Sequence, residues 1–380
     1  MTALRRHLVS LALTCAALAG ATLLVGCSGS GRPKPAPLPP AGLTNPLHRA
    51  WSNKLPGPVN YPLQIHVQGG NVTVAASNGA VLTLDAATGR VVARAQVHGS
   101  LIAGVGSDGS TIAVVTHDNQ LVTLAGNRQL WQRRLPTQSY TAPLVAGGRV
   151  FVLGADRSLF AFDGTNGTQL WHTTPPASAP LVLRQSGLLL PVGNTLVAGL
   201  SGRVTGVDPD QGVVQWEAPL AVARGTNDVE QLVDLVSGVV RTGTVLCARS
   251  FQTTIGCVDA SDGKVLWTRP SNGGTGLTGD DQTIYSTEAD GRVMAWQHSN
   301  GDRVWSNSDL QWRDLSGPQT FGPWVALGDG TGSVLLLART DGHLVGRAAT
   351  DGSAIDVQPV VVANTLVVVT RAGGIYGFTR

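Results

Sequence analysis

One unit recurs along this 380-residue chain, and the recurrence constrains the fold more than any other feature. Segments closing on Gly-x-x-x-Trp read LFAFDGTNGTQLW at Trp171, VTGVDPDQGVVQW at Trp216, IGCVDASDGKVLW at Trp267 and VMAWQHSNGDRVW at Trp305. LVTLAGNRQLW at Trp131 carries Asn127 in the Gly place. VLTLDAATGRVVA carries Ala93, and VLLLARTDGHLVG carries Gly346, in the Trp place. From Ala93 to Gly346 the closing positions follow one another at 38 to 51 residues. An eighth copy is split between the two ends. The chain stops at IYGFTR, where the other copies turn into their Gly-x-x-x-Trp part, and NPLHRAW supplies that part at Trp51, 42 residues before Ala93.

Each unit reads as strands. VTVAAS, VFVLGA and LVVVTR are apolar and rich in β-branched residues, and Asp-Gly, Asn-Gly and Thr-Gly pairs punctuate them at hairpin positions. Beyond the N-terminal segment no stretch sustains a 3.6-residue apolar period. Three to four short strands in each of eight units predict an all-β fold, an eight-bladed β-propeller over residues 43–380. Pairing the N-terminal strand with the C-terminal strands closes the ring and removes its open edge. Nine of the aromatic residues are Trp, against four Tyr and six Phe. The recurring Trp is read as structural, a large ring with one N–H donor wedged between neighbouring blades.

The N-terminus reads as an address. Arg5 and Arg6 precede the apolar run from Leu8 to Val25, and Leu24-Val25-Gly26-Cys27 resembles a bacterial lipobox. This predicts a signal peptide over 1–26 and a lipidated Cys27, with a Pro/Gly-rich tether over 27–42 that has nothing to bury. By resemblance to lipoprotein sorting, Ser28 directs the protein to the periplasmic face of the outer membrane. Two units of the +3 formal charge come from Arg5 and Arg6, so the remainder is close to neutral and gives no electrostatic case for nucleic acid. With Cys15 in the signal and Cys27 lipidated, Cys247 and Cys257 remain. A hairpin centred on Gln252 sets them opposite one another, which predicts a cross-strand disulfide. The alternative is two buried thiols.

The pattern A-x-D-x-x-T-G-x-x-x-W, present as LDAATGRVVA, FDGTNGTQLW and VDASDGKVLW, resembles the docking repeat of quinoprotein alcohol-dehydrogenase-like propellers. With the lipobox, the tether and the split closing blade, residues 43–380 resemble the BamB family, lipoproteins of the outer-membrane β-barrel assembly machinery. The resemblance implies a non-enzymatic scaffold that docks on periplasmic domains of the machinery's barrel subunit and, in a second role, meets unfolded outer-membrane protein clients. It also implies a contact site. PLVLRQSGLLLPVG resembles the family's docking segment, placing Leu181, Leu183 and Arg184 in it. In TNDVEQLVDLVSGVV, the first of two family Asp residues matches Asp234; the second falls on Val236, a departure that leaves the acidic part to Asp234 with Glu230. Bulk leucines beside an arginine suit a small hot spot. The competing readings are that Leu181 and Leu183 open an inner strand, and that Asp234 serves a short helix starting near Asn227.

No catalytic set assembles from the sequence. Quinone-dependent enzymes on this fold use adjacent cysteines and a calcium; Cys247 and Cys257 are not adjacent, so no cofactor is expected. The eight His lack metal-ligand spacing, so no metal is expected either. Gly104-Val-Gly106-Ser-Asp-Gly109 is followed by a strand-like STIAVV, which fails the context of a dinucleotide loop. The rival reading is a periplasmic quinoprotein-like enzyme or a small-ligand or glycan binder. For glycans the available off-repeat aromatics are Trp296, Trp312 and Trp324.

Overall fold

Strands covered on both faces read as continuous apolar runs rather than alternating ones. That is the pattern of Asn71–Ala75, Ile112–Thr116 and Thr365–Val369, where four or five consecutive side chains are buried. Each lies inside a four-stranded sheet whose two faces meet neighbouring sheets. The strand at the rim of each sheet alternates instead, as Val91–Gln96 does between half-buried and exposed. In the computed structural model, residues 33–38, 46–174, 182–223 and 232–380 are described. Among them there is no helix, and the strands form eight antiparallel four-stranded sheets.

The sheets are the blades of an eight-bladed β-propeller. In chain order they cover residues 66–96, 101–134, 144–172, 189–219, 235–270, 278–307 and 319–349. The eighth joins 360–379 to the N-terminal strand His48–Lys54. That strand pairs antiparallel with Gly374–Thr379, Trp51 opposite Gly377. The split repeat is therefore one blade, and ring closure is made by hydrogen bonds between the two ends of the chain.

The repeat's Trp and Gly meet across blade boundaries. Trp51, Trp131, Trp171, Trp216, Trp267 and Trp305 lie against Gly89, Gly167, Gly212, Gly263, Gly301 and Gly342 of the following blade. The indole N–H of Trp51 donates to Ala86 O at 3.0 Å, that of Trp267 to His298 O at 2.9 Å, and that of Trp305 to Arg339 O at 2.9 Å. Gly301 shows why the position is glycine: its φ is +73°, and a Cβ there would sit 2.4 Å from the Trp267 ring. The two blades without the Trp fit the same rule. Ala93 of the first blade faces a second blade that has Asn127 in the Gly place and turns through Gly126 instead. Gly346 of the seventh blade precedes the eighth, whose corresponding residue is the buried Leu47, and Gly346 is paired with the bulky Leu336. Trp and Gly are present together or absent together.

The turn that carries this glycine is held by the repeat's Asp. Asp85 Oδ1 accepts the Thr88 N–H at 2.9 Å and the Thr88 hydroxyl at 2.7 Å. Asp163 and Asp259 do the same with Thr165 and Ser261. These hydroxyl bonds, then the amide bonds, hold all three carboxyls below the usual range.

Two stretches of chain form separate units, one ending at Pro35 and one running from Ala36 to Arg380. In the second, residues 36–38 in the middle of the expected tether are not free. The Ala36 N–H donates to Gln311 O at 2.9 Å, Arg313 Nη1 donates to Ala36 O at 2.8 Å, and Leu38 packs on the cluster around Leu310 and Leu315. The expectation that the tether has nothing to bury is corrected at these residues, where Leu38 packs on the propeller.

Candidate functional site

The segment entering the fourth blade, residues 182–188, crosses the inner ends of several blades as irregular chain, which requires its backbone groups to be satisfied from outside. Gly187 N–H donates to Thr141 Oγ1 at 2.9 Å, and Ser237 N–H donates to Ser186 O at 2.8 Å. Gly187 also forms an isolated antiparallel bridge with Val236. Gln185 Nε2 donates to Gly274 O. The loop is thus tied to the third, fifth and sixth blades before its own strand, Leu189–Val192, begins.

Asp234 is the centre of this fixation. Its Oδ2 accepts the Leu183 N–H at 3.2 Å, while Oδ1 accepts Arg157 Nε at 3.1 Å and pairs with Arg157 Nη2 at 3.1 Å. The two side chains are 15% and 8% exposed, so this is a largely desolvated pair, in which loss of either partner would leave the other charge uncompensated. The Phe251 N–H in turn holds Asp234 O at 2.9 Å. The carboxylate is engaged from inside the protein and orients the loop.

The sequence-derived site residues separate accordingly. Leu183 and Asp234 are brought together, with Leu183 half-buried beside a small cavity it lines with Leu153, Tyr140 and Val236. Arg184 is exposed and has no hydrogen bond or ion pair among the described residues. Val236, where the family pattern has a second Asp, is 1% exposed in the strand Leu235–Thr242. Leu181, Glu230 and Asn227 lie outside the described residues, as does Cys27. Arg157 was not legible as a partner, because its ion pair spans 77 residues of sequence. Its φ of +66° in the hairpin after Arg149–Leu153 is also not a sequence signal.

Arg184 stands at the rim of a funnel of about 970 Å³ on the propeller axis. Arg241 and Arg371 also line it, Arg241 near the far end of the strand Leu235–Thr242, and Arg371 is paired with Asp356. The funnel is crossed by Gln358, whose Nε2 donates to Leu277 O at 3.1 Å and Pro318 O at 2.7 Å. It fits against Gly238 and Gly276, where a Cβ would meet its Oε1 at 2.4 Å, and lies close to Gly317. Burial pushes the Tyr61 phenol well above its usual range, and it stays a neutral donor to Ala75 O at 3.0 Å. The donor set does not fit a quinone with a calcium. Among the described residues Asp356 is the one carboxylate lining the funnel, and it is occupied by Arg371. Cys247 and Cys257 lie elsewhere, joined by a disulfide between facing positions of adjacent strands in the fifth blade. Nor is there an aromatic platform for glycans in the off-repeat set: Trp296 is buried, Trp324 half-buried and Trp312 exposed.

Comparison with known proteins agrees with this geometry. The fold matches the crystal structure of BamB from Moraxella catarrhalis with a TM-score of 0.79 over 88% of this chain and 100% of that one, at 23% identity. It also matches quinohemoprotein alcohol dehydrogenase from Comamonas testosteroni, with a TM-score of 0.68, at 14% identity over 88% of this chain and 76% of that one. In sequence, the outer membrane protein assembly factor BamB of Burkholderia pseudomallei is 36% identical over 253 residues, 66% of each chain. The matched stretch thus spans about two thirds of that relative's length. The family described as outer membrane protein assembly factor BamB matches residues 77–307, more than half of the chain. This chain, with its docked blades and its Asp234-held loop, belongs to the BamB family of outer membrane protein assembly factors.

Proposed function

We propose that this protein is a non-enzymatic scaffold of the outer-membrane β-barrel assembly machinery. It is anchored by lipid on Cys27 at the periplasmic face of the outer membrane. Through the loop at Leu183 and Arg184, together with Leu181, it docks on periplasmic domains of the barrel subunit and holds them in position for folding and insertion of client proteins. Family membership supports the process, and the funnel's donor set gives no support to quinone chemistry. The observation that carries the site is the contrast within the loop. Its backbone is fixed by Asp234, yet Arg184 is exposed without a partner among the described residues. A preorganised loop presenting an unpaired guanidinium loses little entropy on binding, and Arg is enriched among hot spots. Asp234 acts here as a positioning residue.

Co-purification of the tagged full chain from detergent-solubilised membranes tests the reading. The parent is expected to bring down the barrel subunit, and Leu183→Ala/Arg184→Ala to lose it while keeping the parent's circular dichroism. Equal recovery by both would discard the site. Recovery by neither, with both folded, would discard the function.

A further inference from the structure

The chain is close to neutral, but its charge is unevenly spread. Residues 46–135 carry seven Lys or Arg against three Asp, and residues 136–380 carry sixteen against twenty-one Asp or Glu. The fold gathers the basic excess on one flank. The outermost strands of the eighth, first and second blades, neighbours in the ring, are His48–Lys54, Val91–Gln96 and Arg128–Arg134. They hold Arg49, Lys54, Arg94, Arg128, Arg133 and Arg134 and no carboxylate. All six are exposed, and none has an ion pair among the described residues. Arg133 donates to the carbonyls of Asn166 and Gly167 in the next blade, and the other five guanidinium or ammonium groups are free. Around the rest of the ring, Arg149, Arg203, Arg269 and Arg292 are each paired with an Asp or Glu. Charge on an outermost strand deters pairing with other chains. That need is the same in every blade, yet Gln169–His172 and Val214–Pro219 of the third and fourth carry no Lys or Arg. Edge protection therefore does not account for six cations on three adjacent blades.

We propose that the flank formed by the eighth, first and second blades is a contact surface for anionic phospholipid headgroups. The cations are spread along three strands, and neither the funnel nor the small cavity beside Leu183 reaches them. That arrangement suits an extended array of phosphodiesters better than a single bound anion. Near an anionic bilayer each Lys or Arg is worth roughly fivefold in binding and needs no fixed geometry. The course of the chain points to the same occupant, and here the proposal rests on the lipid anchor proposed above. Ala36, seated at Gln311, follows Cys27 by nine residues, at most about 32 Å of extended chain. From that seat the chain enters the propeller at His48–Lys54, the first strand of the basic flank. The docking loop enters the fourth blade, outside this flank, so one molecule can use both surfaces together.

The test places the full chain, isolated from membranes in detergent, into vesicles of phosphatidylcholine alone or with an equal part of phosphatidylglycerol. A fluorophore is carried on Val92→Cys, which shares its face of the strand with Arg94, or on Val304→Cys of the sixth blade. The vesicles carry a headgroup-linked quencher, and the chain with neither substitution gives the labelling background. Quenching is expected at position 92 with phosphatidylglycerol and not without it, and at position 304 with neither. About 1 M salt, where the Debye length is about 3 Å, should abolish it. Arg94→Gln/Arg128→Gln/Arg134→Gln should lose it while keeping the parent's melting temperature, since three such residues together are worth roughly a hundredfold. No quenching at position 92 would overturn the lipid assignment and turn the same charges toward an acidic protein surface. Equal quenching at position 304, or quenching that survives salt and the triple variant, would overturn the basic flank as its cause. Flotation with phosphatidylcholine vesicles reads the anchor separately. If that fails, the flank alone must bring the chain to phosphatidylglycerol vesicles at low salt, and failure there overturns the proposal equally.

Discussion

Asp234 and Arg184 sit within one short stretch of the fold and do opposite things. Asp234 faces inward, bonded to Arg157 and to the Leu183 N–H. Removing one partner of a desolvated ion pair leaves the other uncompensated. Asp234→Ala is therefore expected to lower stability by about 3 kcal/mol in a denaturant titration. Arg184→Ala, at an exposed position, should change it by no more than about 0.5 kcal/mol. The family pattern in the sequence indicated both residues but not this division. What assigns Asp234 its role is Arg157, 77 residues away, and no local pattern links the two. At the turns, by contrast, the local sequence suffices. The hydroxyl and amide bonds to Asp85, Asp163 and Asp259 depress their folded pKa values. A depressed carboxyl contributes stability above its unfolded pKa of about 3.9 and loses it as pH falls through the folded value. The melting temperature should accordingly decline below about pH 4, and Asp163→Asn should make that decline shallower.

At the scale of the strand and its turn, the unit of stability is a Trp of one blade on a Gly of the next. Trp267→Ala should cost about 3–5 kcal/mol, as removal of a buried large aromatic does. Gly301→Ala should destabilise through the other half of the same contact, since its Cβ would meet the ring at 2.4 Å. Equilibrium unfolding of both single variants and the double checks the pairing. The double should cost less than the sum, because removing the ring makes room for the methyl group. The repeat itself was legible, because its period is written in Gly and Trp. The partner of each Trp was not, since it lies one blade on. The paired absences, Ala93 with Asn127 and Gly346 with Leu47, become intelligible when the blades are set side by side.

For the whole molecule, closure is the decisive feature, and the split repeat at the two ends makes it readable from the sequence. The strand His48–Lys54 covers the edge of Gly374–Thr379, and deleting residues 46–54 would leave that edge unpaired. Such a truncation is expected to aggregate in light scattering at concentrations where the parent stays dispersed. Less legible was the seating of Leu38 within the tether, on an apolar cluster that exists once the blades are assembled. The ring also sets the geometry of the proposed docking. It gathers a loop entering the fourth blade, an arginine of the third and an aspartate at the start of the fifth around one small cavity, and the same loop also lines the axial funnel. The most direct measurement is site-specific photocrosslinking in intact cells, with a photoreactive residue in place of Arg184 and, separately, in place of Val304, exposed on the outer strand of the sixth blade. The account predicts a crosslink to the barrel subunit from position 184 and none from 304. Capture from 304 alone, or from neither with both proteins folded and present at parental levels, would contradict it.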